Sequence, residues 1–491
     1  MKYLIKLFPE ITIKSRTVRQ QMVRGLRTNI RNTLRRYDSG VRVGGGWDAL
    51  YVTPSADLPA DTLATLEDVM TRTSGIHEVL TVEDCQFQSF AQTAERLLPM
   101  WLPQIENKRF CVRVKRRGQH DFNSEDLERY LGSVLLRDAP HARVDLKHPD
   151  VVVALELKGS RLTLITQRRP GLGGYPLGTQ GAVLALVSGG FDSSVAAYRM
   201  IRRGLKTHFL FFNLGGPAHE AGVREVTYHL WQRYSASHRV NFISVPFDGV
   251  VNEILTKIPD GLMGVVLKRM MLRAASRVAA KGRIPALVTG DAIAQVSSQS
   301  LTNLGLIDDV AKRPVLRPLV ATDKQDIINE ARHIDTAHFA ENMPEYCGVI
   351  SKRPNTQARR DDVEAAEAEF DFAVLDRAVD SADVSRVDDL PKRSLPTLDE
   401  VKVIDSPQAL AAQENCSVID IRHPDERDAT PLEVANVELL EIPFYELQDK
   451  ARSLPGDRQY LLYCQQGVMS HMQALHLADQ GLTNFGVYQE D

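Results

Sequence analysis

The run Ser188-Gly189-Gly190-Phe191-Asp192-Ser193 constrains this chain more than any other, because it stands between an apolar strand pattern at 182–187 and the start of a helical pattern. Paired glycines let a backbone turn tightly and approach a ligand, and a helix N-terminus offers unpaired N–H groups with a favourable dipole. Ser188, Ser193 and Ser194 add hydroxyl donors. Such a loop can cradle a phosphate chain; the plain alternative is a glycine-rich strand-to-helix turn without a ligand. The run matches neither G-x-x-x-x-G-K-[ST] nor G-x-G-x-x-G, which counts against kinase, GTPase and simple dinucleotide-binding readings.

Around this loop, short apolar strands at 183–187, 207–213, 241–245 and 285–289 alternate with helices, which predicts a parallel, doubly wound α/β sheet. The segment 289–299 follows the last of these strands. Open α/β sheets bind ligands beyond their strand C-termini, so it is expected at the same site. On the preceding helix Arg269 and Arg273 share a face, either as a phosphate clamp or as solvated charges.

A chain of 491 residues calls for several cores. Residues 2–13 alternate like a strand, and 15–37 carry Val18, Met22, Leu26, Ile30 and Leu34 at helical spacing. With further strands at 110–114 and 151–156, the region 1–170 reads as α+β. Residues 171–181, dense in Gly and Pro, form the best boundary. The stretch 359–402 is rich in Asp, Glu, Ala and Arg, and reads as a helix followed by a linker. A last small α/β unit has strands at 417–421 and 460–463.

The net charge of −3 hides an asymmetry: residues 1–48 hold eleven Lys or Arg against Glu10, Asp38 and Asp48. A second cluster, Lys108, Arg109, Arg113, Lys115, Arg116 and Arg117, contains no acid, so the N-terminal third can attract a polyanion such as RNA; solvated faces are the alternative. No stretch has the apolar length of a membrane span, and the start is too short and too charged for a secretory signal, so a cytoplasmic protein is expected. Five cysteines without a C-x-x-C pair fit neither a disulfide scaffold nor a zinc site, and no resident metal site is expected.

Cys464 follows the strand at 460–463 and opens a loop before a helical stretch, where N–H groups and the helix dipole favour a thiolate or persulfide anion. Cys347 sits in an irregular Pro344-Glu345-Tyr346-Cys347-Gly348 segment, reactive or not with equal reason. Cys85, Cys111 and Cys416 lie in apolar runs and read as core residues.

The Ser188–Ser193 hexapeptide resembles the SGGxDS loop of the ATP pyrophosphatase superfamily, and the unit from Val418 through Cys464 resembles a rhodanese domain. The order of basic α+β region, SGGFDS, the 290–304 segment, the Cys347 segment and the rhodanese-like unit looks like the tRNA 4-thiouridine synthase family in its long form. The resemblance covers essentially the whole chain. It implies an α/β multidomain protein with a ferredoxin-like domain (1–60), a THUMP RNA-binding domain (61–170), an ATP pyrophosphatase domain (171–395) and a rhodanese domain (400–491). It further implies ATP with Mg²⁺ as cofactors, uridine 8 of tRNA as target and a cysteine desulfurase as sulfur donor, with the thiamine sulfur-carrier protein as a further partner in thiazole synthesis.

Carried over residue by residue, the resemblance gives Asp192 and Lys324 as catalytic, and Cys347 and Cys464 as a redox pair. ATP contacts fall at Val187, Ser188, Gly189, Gly190, Phe191, Asp192, Ser193, Phe212, Arg269, Gly290 and Gln299. The six basic residues from Lys108 to Arg117 are the expected tRNA contacts. One departure stands out: the family's rhodanese loop usually carries Arg after Val-Met-Ser, and here His471 follows Ser470. The expected chemistry is adenylation of the uridine O4. Persulfide on Cys464 then attacks the activated carbon or delivers sulfide to it, Cys347 closes a disulfide with Cys464, and the 359–402 linker supplies the reach. An adenylating ligase acting elsewhere than on tRNA, and a non-enzymatic RNA-binding sulfur carrier, are the rival readings.

Overall fold

The computed structural model describes residues 2–214, 216–341, 353–392, 401–413, 415–422, 427, 431–434, 437–464, 470, 473–474, 477–478 and 481–489. It divides into two compact units, essentially Met1–Gln180 and Gly181–Asp491.

The first unit is built on one eight-stranded sheet of order β2-β3-β1-β4-β8-β7-β5-β6. Its strands are β1 (Lys2–Leu7), β2 (Arg42–Gly45), β3 (Ala49–Thr53), β4 (Ile76–Gln86), β5 (Arg109–Arg117), β6 (Arg143–Val144), β7 (Val151–Lys158) and β8 (Arg161–Gly173). The expected strand over 2–13 stops at Leu7 because Pro9, whose ring fixes φ and removes a donor, starts a short helix, Pro9–Thr12. Helix Arg16–Leu34 buries Met22, Leu26, Ile30 and Leu34 as their spacing predicts, whereas Val18 is exposed and Val23 takes a core position.

The expected boundary at 60/61 does not divide this unit. Helix Ala60–Thr71 sends Leu66, Val69 and Met70 into the same core as Tyr3, Ile5 and Leu26, and β4 pairs with β1 over residues 76–82 and with β8 from Ile76 to Gln86. A second core, with Leu97, Trp101, Phe110, Leu131 and Leu155, lies under β5 and β7. The expected cut at 170/171 falls within β8, and the compact units part ten residues later, at the end of the glycine-rich segment.

The second unit holds two sheets. The larger has the order β13-β12-β9-β10-β11-β14, with β9 (Ala182–Leu186), β10 (Lys206–Asn213), β11 (Asn241–Pro246), β12 (Leu287–Val288) and β13 (Val315–Leu316) parallel, and β14 (Asp383–Arg386) antiparallel at one edge. The expected strand over 285–289 is only two residues long in its paired part.

The stretch 359–402 is not the expected linker over most of its length. It forms helices Arg360–Ala368 and Phe372–Asp380 and then β14; Val363, Ala366, Phe370, Leu375 and Val379 join the core that contains Leu184, Leu210 and Met270. The smaller sheet is parallel throughout, with the order β15-β19-β18-β16-β17: β15 (Val403–Ile404), β16 (Cys416–Asp420), β17 (Glu438–Glu441), β18 (Gln459–Tyr463) and β19 (Phe485–Tyr488). Among the described residues no helix is long and apolar enough to cross a membrane.

Candidate active site

In the six-stranded sheet the chain passes from β9 outward to β10 and β11, then returns to the other side of β9 for β12 and β13. The reversal falls between β9 and β12, and ligands of open parallel sheets bind at the strand C-termini of such a point. The Ser188–Ser193 loop leaves β9 there, and the 289–299 loop leaves β12.

The loop is braced by its own hydroxyls. Ser193 Oγ accepts from the Ser188 N–H at 3.2 Å, and the Ser193 and Ser194 hydroxyls reach the Gly190 carbonyl at 3.2 and 3.0 Å. Gly189 has φ of 86°, in the left-handed region that a side chain disfavours. Gly290 permits the closest approach between the two loops: a Cβ there would sit 2.7 Å from the Asp192 carbonyl carbon and 2.9 Å from Ser193 N.

Asp192, on the first turn of helix Phe191–Arg202, has Lys324 Nζ at 3.0 and 2.9 Å from its two carboxylate oxygens and Gln295 Nε2 at 2.9 Å. Lys324 begins helix Lys324–His333. Arg199, two turns beyond Asp192, fixes the distance between the two helices, holding Glu330 Oε2 at 2.7 and 3.0 Å, the Pro318 carbonyl at 2.8 Å and Thr322 Oγ1 at 3.1 Å. The sequence reading missed Arg199, Glu330 and Gln295; Gln295 lay inside a segment already assigned to the site.

A second cluster centres on the buried Asp291, which receives Lys268 at 2.7 Å, Thr289 at 2.7 Å, Gln299 at 3.1 Å and Arg317 at 3.2 Å. Burial alone would raise this carboxyl, but Lys268, Thr289 and Arg317 outweigh it and hold the group well below the usual carboxylate range. Gln299 therefore belongs to this cluster.

Arg269 does not stand as expected. It is 4% exposed, pairs with Glu367 through Nε at 2.6 Å and Nη2 at 2.8 Å, and donates Nη1 to the Leu306 carbonyl. Arg273 joins Glu367 at 2.9 Å. All three Arg269 nitrogens are taken up by protein, so the pair is a structural anchor, neither a phosphate clamp nor a solvated face; Lys268, its neighbour, turns toward the site cluster instead. Phe212 packs in the core with its ring 4.6 Å from that of Phe247, and Val187 is likewise buried.

In the smaller sheet the same kind of reversal falls between β16 and β18. Cys464 follows β18 there, buried, with the Ser470 N–H 3.3 Å and the Ser470 hydroxyl 3.4 Å from its sulfur. Asp420, the last residue of β16, and Arg422, two residues beyond it, form a buried pair at 2.6 Å, and the Arg422 guanidinium lies over the Tyr463 ring at 5.0 Å. Cys347 and His471 lie outside the described residues. Cys85, Cys111 and Cys416 line strands, and burial raises each thiol above its ordinary range.

The basic cluster lies on and beside β5, where Arg109, Arg113, Lys115 and Arg117 share the exposed face while Phe110, Val112 and Val114 face the core. Arg109 is taken up by Asp150, at 2.7 and 3.1 Å, and Arg113 donates to the Leu146 carbonyl at 2.8 Å. Arg117 lies 3.9 Å from Asp48, and Arg116 contacts His120 at 3.2 Å. Lys108 and Lys115 are exposed. A cleft of about 600 Å³ on this unit is lined by Lys6, Arg113, Lys115 and Arg168 among others.

A glycine-turned phosphate loop at the reversal of a parallel sheet, with a Lys-capped aspartate on its helix, defines an α/β enzyme domain of the ATP pyrophosphatase type, here combined with an N-terminal α+β unit. Family models agree: "Thiamine biosynthesis protein (ThiI)" matches residues 178–372 and "THUMP domain" matches 86–167, starting at the end of β4 rather than at 61. The chain is 50% identical to a tRNA sulfurtransferase of Edwardsiella ictaluri and 48% identical to one of Klebsiella pneumoniae, each over 489 residues and 100% of both chains. It belongs to the tRNA sulfurtransferase family. Its fold is similar to that of a 4-thiouridine synthetase crystallised with RNA and ATP, with a TM-score of 0.69 and 24% identity, over 78% of this chain and 99% of that one. A Pyrococcus horikoshii protein matches with a TM-score of 0.53 and 19% identity, over 68% of this chain and 100% of that one.

Proposed function

We propose that this chain is an ATP-dependent tRNA sulfurtransferase that adenylates uridine 8 and replaces its O4 with sulfur, giving 4-thiouridine in cytoplasmic tRNA. Family membership supports the activity, and the observation that carries the chemistry is Asp192 held by Lys324 directly beside the phosphate loop.

ATP lies with its phosphates on the N–H groups of the loop and helix N-terminus. Uridine O4 attacks the α-phosphorus, pyrophosphate leaves, and Lys324 offsets the charge that develops on the phosphate oxygens. Asp192, an oxygen donor beside the loop, would hold a magnesium ion bound with the nucleotide, and the ion would supply charge neutralisation. The Asp291 cluster holds Lys268, Gln299 and Arg317 in fixed positions at the edge of the site.

Sulfur comes from a cysteine desulfurase as a persulfide on Cys464, in a C-terminal unit that we read as a rhodanese domain from its parallel sheet and its cysteine at the strand end. The terminal sulfur attacks C4 of the adenylated base and AMP leaves. The Cys347 thiolate then attacks Cys464 Sγ, which releases the thiolated base and leaves a Cys347–Cys464 disulfide for a cellular dithiol to reduce. The same persulfide could pass to a thiamine sulfur-carrier protein.

The N-terminal unit binds tRNA through the exposed face of β5, where Lys115 and its neighbours meet phosphates. Release of AMP and pyrophosphate from ATP that depends on added tRNA tests the assignment. Nucleotide hydrolysis indifferent to tRNA would support the rival adenylating ligase.

A further inference from the structure

His219 lies near the start of helix Gly216–Leu230, after β10, and the chemistry above gives it no role. It is buried, and its Nε2 is 3.2 Å from the carbonyl oxygen of Ser188, the first residue of the phosphate loop. Its ring meets Phe211 edge to face with centroids 4.8 Å apart. Burial lowers its pKa to about 4, so the imidazole is neutral at physiological pH. A carbonyl only accepts, so Nε2 carries the proton and donates.

The helix start is itself fixed to the sheet. The adjacent Glu220 accepts from Asn213 Nδ2 at 3.0 Å, at the end of β10, and from Ser244 Oγ at 2.9 Å, in β11. His219 is therefore a fixed donor aimed at the first peptide of the loop.

That peptide is the one whose orientation matters. In a planar trans peptide the carbonyl of Ser188 and the N–H of Gly189 point in opposite directions. A loop that binds a polyanion through N–H groups must keep its carbonyl oxygens turned away, and glycines at 189 and 190 leave little steric resistance to a peptide flip.

We propose that His219 is a positioning residue that locks the Ser188–Gly189 peptide with its carbonyl tied outward, so that the Gly189 N–H faces the phosphates of ATP. The inference rests on the reading of this loop as the ATP site.

The test uses the full chain with three forms: wild type, His219→Phe, which keeps a ring against Phe211 but has no donor, and His219→Gln, which restores a donor. Binding of radiolabelled ATP is measured by equilibrium dialysis, beside tRNA affinity and thermal unfolding. The expected result is about tenfold weaker ATP binding for Phe and recovery to within about threefold for Gln, the effect of one hydrogen bond lost and regained. Melting temperature and tRNA affinity should stay near wild type. ATP binding by the Phe variant equal to wild type, or equal losses in both variants with a lowered melting temperature, would overturn the positioning role. A wild type that binds no ATP would overturn the ATP reading, and this inference with it.

Discussion

Lys324 and Asp192 are 132 positions apart in the chain, and the Lys324 ammonium bridges both carboxylate oxygens of Asp192 at 2.9 to 3.0 Å. The pair has one member on each of two helices that Arg199 and Glu330 tie together. In the proposed mechanism Lys324→Ala removes a charge that acts in the transition state, and the substitution lies outside the N-terminal unit. We expect tRNA-dependent AMP formation to fall about 100-fold or more, as for loss of a strong electrostatic contact to developing charge. The tRNA dissociation constant, measured by filter binding, should stay within about twofold.

Gly290→Ala should damage the same site by a different route. The added Cβ would meet backbone atoms of Asp192 and Ser193, which cannot yield as a flexible side chain would. The expected outcome is a strained or displaced loop costing about 1–3 kcal/mol, with ATP affinity down about tenfold. Calorimetric unfolding with and without ATP would read both effects.

Glu367 carries a stability prediction. It is buried and neutralises Arg269 and Arg273 together. Burial alone would raise its carboxyl, but Arg269 and Arg273 hold it below the ordinary range. Glu367→Ala would leave a buried guanidinium unpaired and should destabilise the second unit by about 3–5 kcal/mol. The folded pKa is depressed, so the stabilisation is present above the unfolded carboxylate pKa and is lost as pH falls through the folded value. The difference in unfolding midpoint between variant and wild type should accordingly shrink as pH falls below the ordinary carboxylate range; a difference that widens in acid would contradict the pairing.

On β5 the basic residues should not be equivalent. Arg109 is held by Asp150, whereas Lys115 is exposed. Lys115→Ala should lower the log–log salt slope of tRNA binding by about 0.7–0.9, and Arg109→Ala by clearly less. No effect from Lys115→Ala would separate this face from tRNA binding, and equal effects from the two variants would show that Asp150 does not keep Arg109 from phosphate.

The phosphate loop, the strand alternation around it and the cysteine at the end of β18 are legible in the sequence because each depends on neighbours within a few residues. Arg269 is not, since its partner Glu367 lies 98 residues away and a basic residue on a helix looks the same whether it faces phosphate or a buried carboxylate. The acidic stretch after 359 misleads for a related reason. Its composition is polar, yet Val363, Ala366, Phe370, Leu375 and Val379 recur at helical intervals and bury against the larger sheet. The ferredoxin-like boundary misleads because one strand, β4, serves both halves of a continuous sheet.

That docked stretch changes the expected sulfur delivery. With 360–386 packed into helices and β14, a tether of 359–402 is not available, and Cys464 is buried against Ser470. Peptide mapping after turnover without reductant should still show a Cys347–Cys464 disulfide, absent from Cys347→Ser. A Cys347→Ser enzyme with full multiple turnover under reducing conditions would remove the resolving role.

The central claim, that this chain adenylates a tRNA uridine and then thiolates it, is tested most directly in a single reaction. Full-length enzyme loaded with persulfide sulfur is incubated with unmodified tRNA and ATP, with AMP quantified and the tRNA nucleosides analysed by mass spectrometry. We predict one AMP per 4-thiouridine formed at position 8, and neither product with Asp192→Asn. Formation of 4-thiouridine without AMP, or an Asp192→Asn enzyme with wild-type yield, would contradict the account.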